Sequence, residues 1–163
     1  MTGEALIAAL GLEPHVEGGY YRELYKGPHH DALAVAGGAR RLASTIYYLL
    51  TADSPINRFN RNRSDITHFL HAGGPIHYQT ISAAGAWQEV VLGRDVAAGQ
   101  ALAFTCPGGA WKSSHLPAGV AYGLISEVVA PGYEDADWAL ADAALFERLF
   151  PQHRARWRGY VGG

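Results

Sequence analysis

The sequence has only one cysteine, Cys106, so no internal disulfide can form and no multi-cysteine zinc site can be assembled. Lysine is almost as scarce: Lys26 and Lys112 are the whole supply, and arginine provides the remaining basic residues. No apolar run is long enough to cross a membrane, and no charged-then-apolar leader follows Met1, so a cytoplasmic protein is expected. Charge is sparse at 17 %, the formal net charge is −2, and acids and bases are scattered. The basic stripe that nucleic acid binding needs is therefore missing. There is no Gly-x-Ser-x-Gly elbow, and no glycine-rich turn feeds a helix after an apolar strand, which excludes the usual serine-hydrolase and phosphate-loop readings. Repeats, linkers and low-complexity runs are also missing, and residues 1–163 read as a single domain.

What is present is glycine, 20 residues, and a set of short β-prone segments between turn signals. Glu4-Ala-Leu-Ile-Ala-Ala-Leu10 has helical spacing, with Thr2 as its cap and Gly11 as its stop. From Gly18 onward the pattern changes to strands: Tyr20–Tyr25, Leu42–Leu50, Thr67–Ala72, Ile76–Ser82, Trp87–Leu92, Ala101–Cys106 and Tyr122–Val129. Turns such as Ala72-Gly73-Gly74-Pro75 and Cys106-Pro107-Gly108-Gly109 separate them. Short strands at this spacing predict an all-β sandwich or barrel. A last helix is expected over Ala141–Phe150, ended by Pro151. Cys106, placed between a strand and a proline, reads as a small buried hydrophobe.

Five segments occur in an order that carries a resemblance. They are Leu12-Glu-Pro-His-Val-Glu-Gly-Gly-Tyr-Tyr-Arg-Glu23, Ser64-Asp65 through His71-Ala-Gly73, Pro107-Gly-Gly-Ala-Trp111, Val129-Ala-Pro-Gly-Tyr133 and Leu149-Phe-Pro-Gln-His153. Together they resemble the cupin-5 family of small cupins, from about Leu12 to His153. The resemblance implies a single-domain jelly-roll barrel, to which the pattern above adds a short N-terminal helix and a C-terminal helix. It also implies a homodimer built partly through the N-terminal strands, and it supplies no settled reaction.

A metal-binding cupin carries His-x-His, a spacer, Glu, and later Gly, followed by a second motif Pro-x-Gly-x-x-His. Alternate strand residues share a face, so these ligands converge inside the barrel. With Gly73 as the closing glycine, the Glu position falls at Ile66 and the two His positions at Asn60 and Asn62, or at Phe59 and Arg61 with a longer spacer. Pro107 and Gly109 put the fourth ligand at Lys112. None of these can ligate well, so no metal and no other cofactor is expected. Relatives typically keep a His at the Asn60 position and a Glu at the Ile66 position. His68, His71 and His77 would form an unusual metal site only through a bulge or unexpected register. His29 and His30 read as a solvated loop.

Cavity chemistry must then come from side chains. His68 shares the inward register of Asn60, Asn62 and Ile66, and reads as a general base or as a core histidine bonded to a backbone carbonyl. Lys112 is either a buried amine of depressed pKa, able to polarise a carbonyl or form an imine, or a rim lysine reaching water. Glu127 stands in the apolar stretch Leu124-Ile-Ser-Glu-Val-Val-Ala130, where relatives usually have a small residue, and reads as a functional carboxylate or an outward one. The expected ligand contacts are Asn60, Asn62, Ile66, Tyr48, Tyr78 and Trp111, with Tyr20 a further phenol donor. Arg22 and Glu23 are expected to pair at the pocket mouth or at the dimer contact, and Glu17, before two glycines, marks a tight edge or a ligand wall. Three functions follow: a metal-independent isomerase or epimerase, dehydratase or cyclase; a non-catalytic small-molecule-binding barrel; and, third, a metal-dependent oxygenase or lyase with unusual ligands.

Overall fold

The computed structural model of the chain describes residues 1–35 and 38–162. After helix α1 (Gly3–Leu10) come strands β1 (Glu13–Pro14), β2 (Tyr20–Lys26), β3 (His29–Val35), β4 (Gly38–Arg41) and β5 (Ser44–Thr51). Then follow β6 (Ile56–Asn62), β7 (Asp65–Gly73), β8 (Ile76–Ile81), β9 (Trp87–Leu92) and β10 (Ala103–Cys106). The chain closes with β11 (Trp111–His115), β12 (Tyr122–Ala130), β13 (Trp138–Leu140), α2 (Ala143–Leu149) and α3 (Arg154–Trp157).

Two antiparallel sheets face each other in a jelly roll, one ordered β1-β2-β5-β12-β7-β10 and the other β13-β6-β11-β8-β9. A separate hairpin pairs β3 with β4. The expected helices are present with shifted ends: Thr2 caps α1 by accepting from the Ala5 N–H at 3.2 Å, and Asp142 caps α2 by accepting from Leu145 at 2.7 Å. The expected Leu42–Leu50 strand is interrupted, because Leu42 is exposed and the ladder restarts at Ser44. β6, β11 and the β3–β4 hairpin have no strand-like sequence pattern, since their segments are rich in Asn, Arg, Ser, His and Ala, and β13 is only three residues long. His29 and His30 lie in β3, not in a loop, though both remain exposed.

Apolar packing is divided among three clusters, and the division positions the cavity. Inside the barrel, Tyr48, Leu50, Ile76, Tyr78, Leu92 and Ile125 fill one end. Outside the five-stranded sheet, Phe59, Ile81, Trp111, Phe146, Phe150 and Trp157 seat the C-terminal helices. Outside the six-stranded sheet, Leu6 of α1 and Leu12 pack on Leu49 and Leu124. The other end of the barrel interior is left to polar side chains: Glu17, Asn57, Asn60, Asn62, Lys112 and Glu127 are all buried.

Candidate functional site

A cavity of about 730 Å³ occupies this polar end, within the size range of small-molecule pockets. Strand alternation supplies its walls. From β5 come Ser44, Ile46 and Tyr48; from β12, Glu127 and Val129; from β6, Asn60 and Asn62; from β7 and β11, Ile66 and Lys112.

Glu127 and Lys112 come from different sheets. In one ladder Glu127 lies between Ile46 and His68, and in the other Lys112 lies between Asn60 and Thr80. Their side chains meet across the barrel, Lys112 Nζ to Glu127 Oε1 at 3.7 Å. Burial alone would raise the Glu127 carboxyl, but Lys112 and then His68 outweigh it and hold its pKa down to about 2. Burial would likewise lower Lys112, yet the Glu127 and Glu17 carboxylates prevail and raise it. Lys112 is thus neither of the two groups expected from sequence. It is a buried ammonium held charged by carboxylates, not a depressed amine and not a rim side chain.

His68 does not touch the cavity. It lies behind Glu127 with no solvent exposure, Nε2 3.3 Å from Oε1 but outside hydrogen-bond alignment. Its ring is stacked on Phe104 at 4.6 Å and meets the edge of Tyr78 at 5.0 Å. Burial lowers its pKa against the pull of Glu127, so it is neutral at neutral pH. The residue expected as a general base is therefore set back from the cavity, in contact with Glu127 and not on the wall. Tyr78 packs in the apolar cluster beside His68 and is not part of the cavity wall. Trp111 points the opposite way: one residue from inward Lys112, it faces out of the sheet onto Phe146, with Arg61 stacked on it at 4.9 Å. Neither belongs to the ligand wall.

The wall that sequence reading underweighted is Glu17. Residues 15–19 cross from β1 toward β2 as a strap spanning both sheets: the Arg58 N–H donates to the Glu17 carbonyl at 2.8 Å, and the Gly19 N–H donates to Ser54 Oγ at 2.8 Å. Gly18 has φ 104°, and a Cβ there would stand 2.1 Å from the Ile56 carbonyl oxygen, which accounts for the paired glycines. The strap drives the Glu17 carboxylate inward, where Asn57 and Asn60 amides donate to Oε2 at 2.8 and 2.9 Å and the Trp138 indole N–H donates to Oε1. The glycines marked Glu17 as a tight edge or a ligand wall, and it is both; Tyr133 stood in a segment of the resemblance without being read as lining, and Trp138 and Asp135 carried no signal. Tyr48 donates to the Gly18 carbonyl and accepts from Asn57, and its phenol is pushed well up by burial and by the Glu17 charge. Arg22 and Glu23 do not pair: Arg22 donates to the Leu10 carbonyl at 2.8 Å, and Glu23 contacts Lys26 at 3.4 Å.

The residues at the superfamily's metal positions do not fit a metal. Asn60 spends its amide on Glu17, Asn57 and the Arg58 carbonyl, Ile66 is aliphatic, and Lys112 brings a positive charge to the fourth place. A bulge does fall at His71, opposite Leu124 and Ile125, but His71 is exposed against Tyr47. His77 pairs with His115 in the other sheet, not with His71. Among the described residues no group of three or more His, Cys, Asp or Glu is placed to hold a metal ion. No helix among them is long and apolar enough to cross a membrane.

Known proteins are similar to this chain in sequence and fold over most of its length. A Saccharomyces cerevisiae protein, Uncharacterized protein YML079W, is 34% identical over 146 residues, covering 82% of this chain and 72% of its own. A hypothetical protein from Leishmania major superposes with TM-score 0.93 at 32% identity, covering all of both chains. Protein SO0799 from Shewanella oneidensis gives 0.87 at 30% identity, covering 99% of this chain and 98% of its own. The family model described as Cupin superfamily (DUF985) matches residues 4–141, and the chain belongs to that family, Cupin_5.

Proposed function

We propose that this cupin is a metal-independent acid–base enzyme acting on a small carbonyl compound, of the isomerase or epimerase, dehydratase or cyclase type. The observation that carries the reading is the Lys112–Glu127 pair: opposite charges from opposite sheets, both buried, both on the wall of one cavity. A ligand carbonyl oxygen placed at Lys112 Nζ would draw the ammonium toward itself. Glu127 would keep its burial while losing part of its counter-charge, so its carboxyl would rise toward useful basicity. Glu127 then takes the proton from the carbon next to the carbonyl, and the electron pair moves to oxygen, which receives a proton from Lys112. Delivery of the Glu127 proton to the neighbouring carbon, with an enol hydroxyl proton returned to Lys112, completes isomerisation; its delivery to a β-hydroxyl, which leaves as water while the enol proton returns to Lys112, completes dehydration. His68, behind Glu127, positions the carboxylate.

A non-catalytic binding barrel is the second reading, favoured by the low pKa of Glu127 in the free protein. Deuterium exchange separates the two. Chelator-treated protein is mixed with hydroxyaldehydes and hydroxyketones in D₂O, and loss of the proton next to the carbonyl is followed by NMR. The enzyme reading expects exchange that Glu127→Gln lowers by roughly 10²–10⁴-fold. Ligands that bind without exchange would leave the binding barrel.

We also infer a homodimer. The outer face of the six-stranded sheet beyond α1 carries Tyr25 and Phe69, 50% and 41% exposed, among uncharged Thr and Ser neighbours.

A further inference from the structure

The reaction type leaves the substrate open, and the charges around the cavity narrow it. Four carboxylates line the space, Glu17, Glu23, Glu127 and Asp135, against two ammonium groups, Lys26 and Lys112, and His15 on the same wall accepts the Glu17 N–H at Nδ1, 3.3 Å away. Both cations are already matched: Lys112 lies 3.7 Å from Glu127, and Lys26 lies 3.4 Å from Glu23. Among the described residues no arginine is on the wall. An anionic ligand would enter a field of its own sign and meet no uncommitted cation.

Hydrogen-bond capacity points the same way. Several of the wall's donors are spent inside the protein, Asn60 and Trp138 on Glu17 and Tyr48 on the Gly18 carbonyl, while the Asn62 amide and the Lys112 ammonium are left to meet a ligand's carbonyl and hydroxyl oxygens. Acceptors remain. Both close contacts of Glu127 are made through Oε1, which leaves Oε2 for a donor on the ligand. Tyr21, Tyr133 and Trp138 add aromatic surface, against which the C–H face of a ring or chain can pack. A molecule rich in hydroxyl donors, without negative charge and with C–H faces, matches all three properties. The volume of about 730 Å³ admits one of hexose size or somewhat larger.

We propose that the cavity takes an uncharged polyhydroxylated carbonyl compound, a free aldose or ketose in chemical class. The proposal rests on the small-molecule reading of the site given above, and names what enters it.

The test is calorimetric titration at about 0.15 M salt with neutral aldohexoses and ketohexoses, the matching hexuronates, and the matching hexosamines. Neutral sugars should bind at least about tenfold more tightly than their hexuronates. Glu23→Lys, at the partly exposed mouth, removes the excess negative charge and should narrow that gap or reverse it. Hexuronates binding as tightly as neutral sugars to the unaltered protein would overturn the proposal. So would hexosamines preferred by more than about tenfold, which would make the ligand a cation, or no titration by any of the three groups. The two readings fail separately. Hexuronates that bind best and exchange their protons in D₂O would remove the substrate class and leave acid–base catalysis standing. Neutral sugars that bind without exchange would do the reverse.

Discussion

Asn60 Nδ2 donates to Glu17 Oε2 at 2.9 Å, so an amide serving a carboxylate stands where a metal-binding cupin has its first imidazole. The pair turns a ligand position into part of the strap's anchor. Asn60→His should break the bonds to Glu17 and Asn57 without creating a metal site, because the Lys112 ammonium still holds the fourth position. Elemental analysis should find well under one transition-metal ion per chain in both proteins. The combination of Asn60→His, Ile66→Glu and Lys112→His should gain metal. A stoichiometric metal in the unaltered protein would contradict the fit argued from these residues.

Lys112→Met keeps an unbranched side chain, one atom shorter, and removes the charge that Glu127 and Glu17 face. A buried carboxylate left without its cation should cost about 3–5 kcal/mol, read from urea unfolding. A buried amine without carboxylate partners would behave oppositely, since removing it would recover desolvation and leave stability level or higher. The double variant Lys112→Met with Glu127→Gln should recover most of the loss. Equal destabilisation in the single and double variants would show that the pair is not coupled.

Acid should expose the same coupling. The Glu127 carboxyl has a folded pKa of about 2 against an ordinary 4.5, so the folded state favours its ionised form. Its stabilisation is complete above the ordinary value and is lost as pH falls from there toward the folded value, on the order of 3 kcal/mol. His68 acts in the same direction: its lowered pKa means the unfolded chain takes the proton first as pH drops below about 6.5. Denaturation curves at a series of acid pH values should fall steeply for the unaltered protein and less steeply for Glu127→Gln. Parallel curves would locate acid sensitivity elsewhere.

The homodimer is checked by light scattering at micromolar concentration. A paired outer sheet face should bury more than roughly 1,000 Å² in total, and Phe69→Lys should weaken it. A monomeric protein would contradict the inferred assembly.

Much of this architecture was legible because β2, β7, β8, β9 and β12 are short segments carrying Tyr, Ile, Val, Leu and Thr between turn residues. The two strands that matter most for the cavity, β6 and β11, were not. Asn-Arg-Phe-Asn-Arg-Asn62 and Trp-Lys-Ser-Ser-His115 are polar where they face the cavity and apolar where they face α2, the reverse of the usual interior rule. Asn60, Asn62 and Lys112 were reached only through the motif register. Trp111 was misplaced although the same period-two rule, applied from Lys112, turns it outward. The charge state of Lys112 could not be read from sequence, because it depends on Glu127, which arrives from the opposite sheet. Glu17 sits in a strap without periodicity, so only its glycines hinted at close approach.

The Glu17 strap gives the cavity a late place in the order of assembly. Its carboxylate is bonded to Asn57, Asn60 and Trp138, which are 40, 43 and 121 positions away along the chain. Contacts of such separation form after local hairpins, since each must first overcome the entropy of closing its loop. The pocket wall is therefore complete only once β6 and β13 have docked beside the N-terminal segment. Chains halted before Trp138 would hold much of the six-stranded sheet and still lack the enclosure, so ligand binding would report on the finished topology, not on secondary structure.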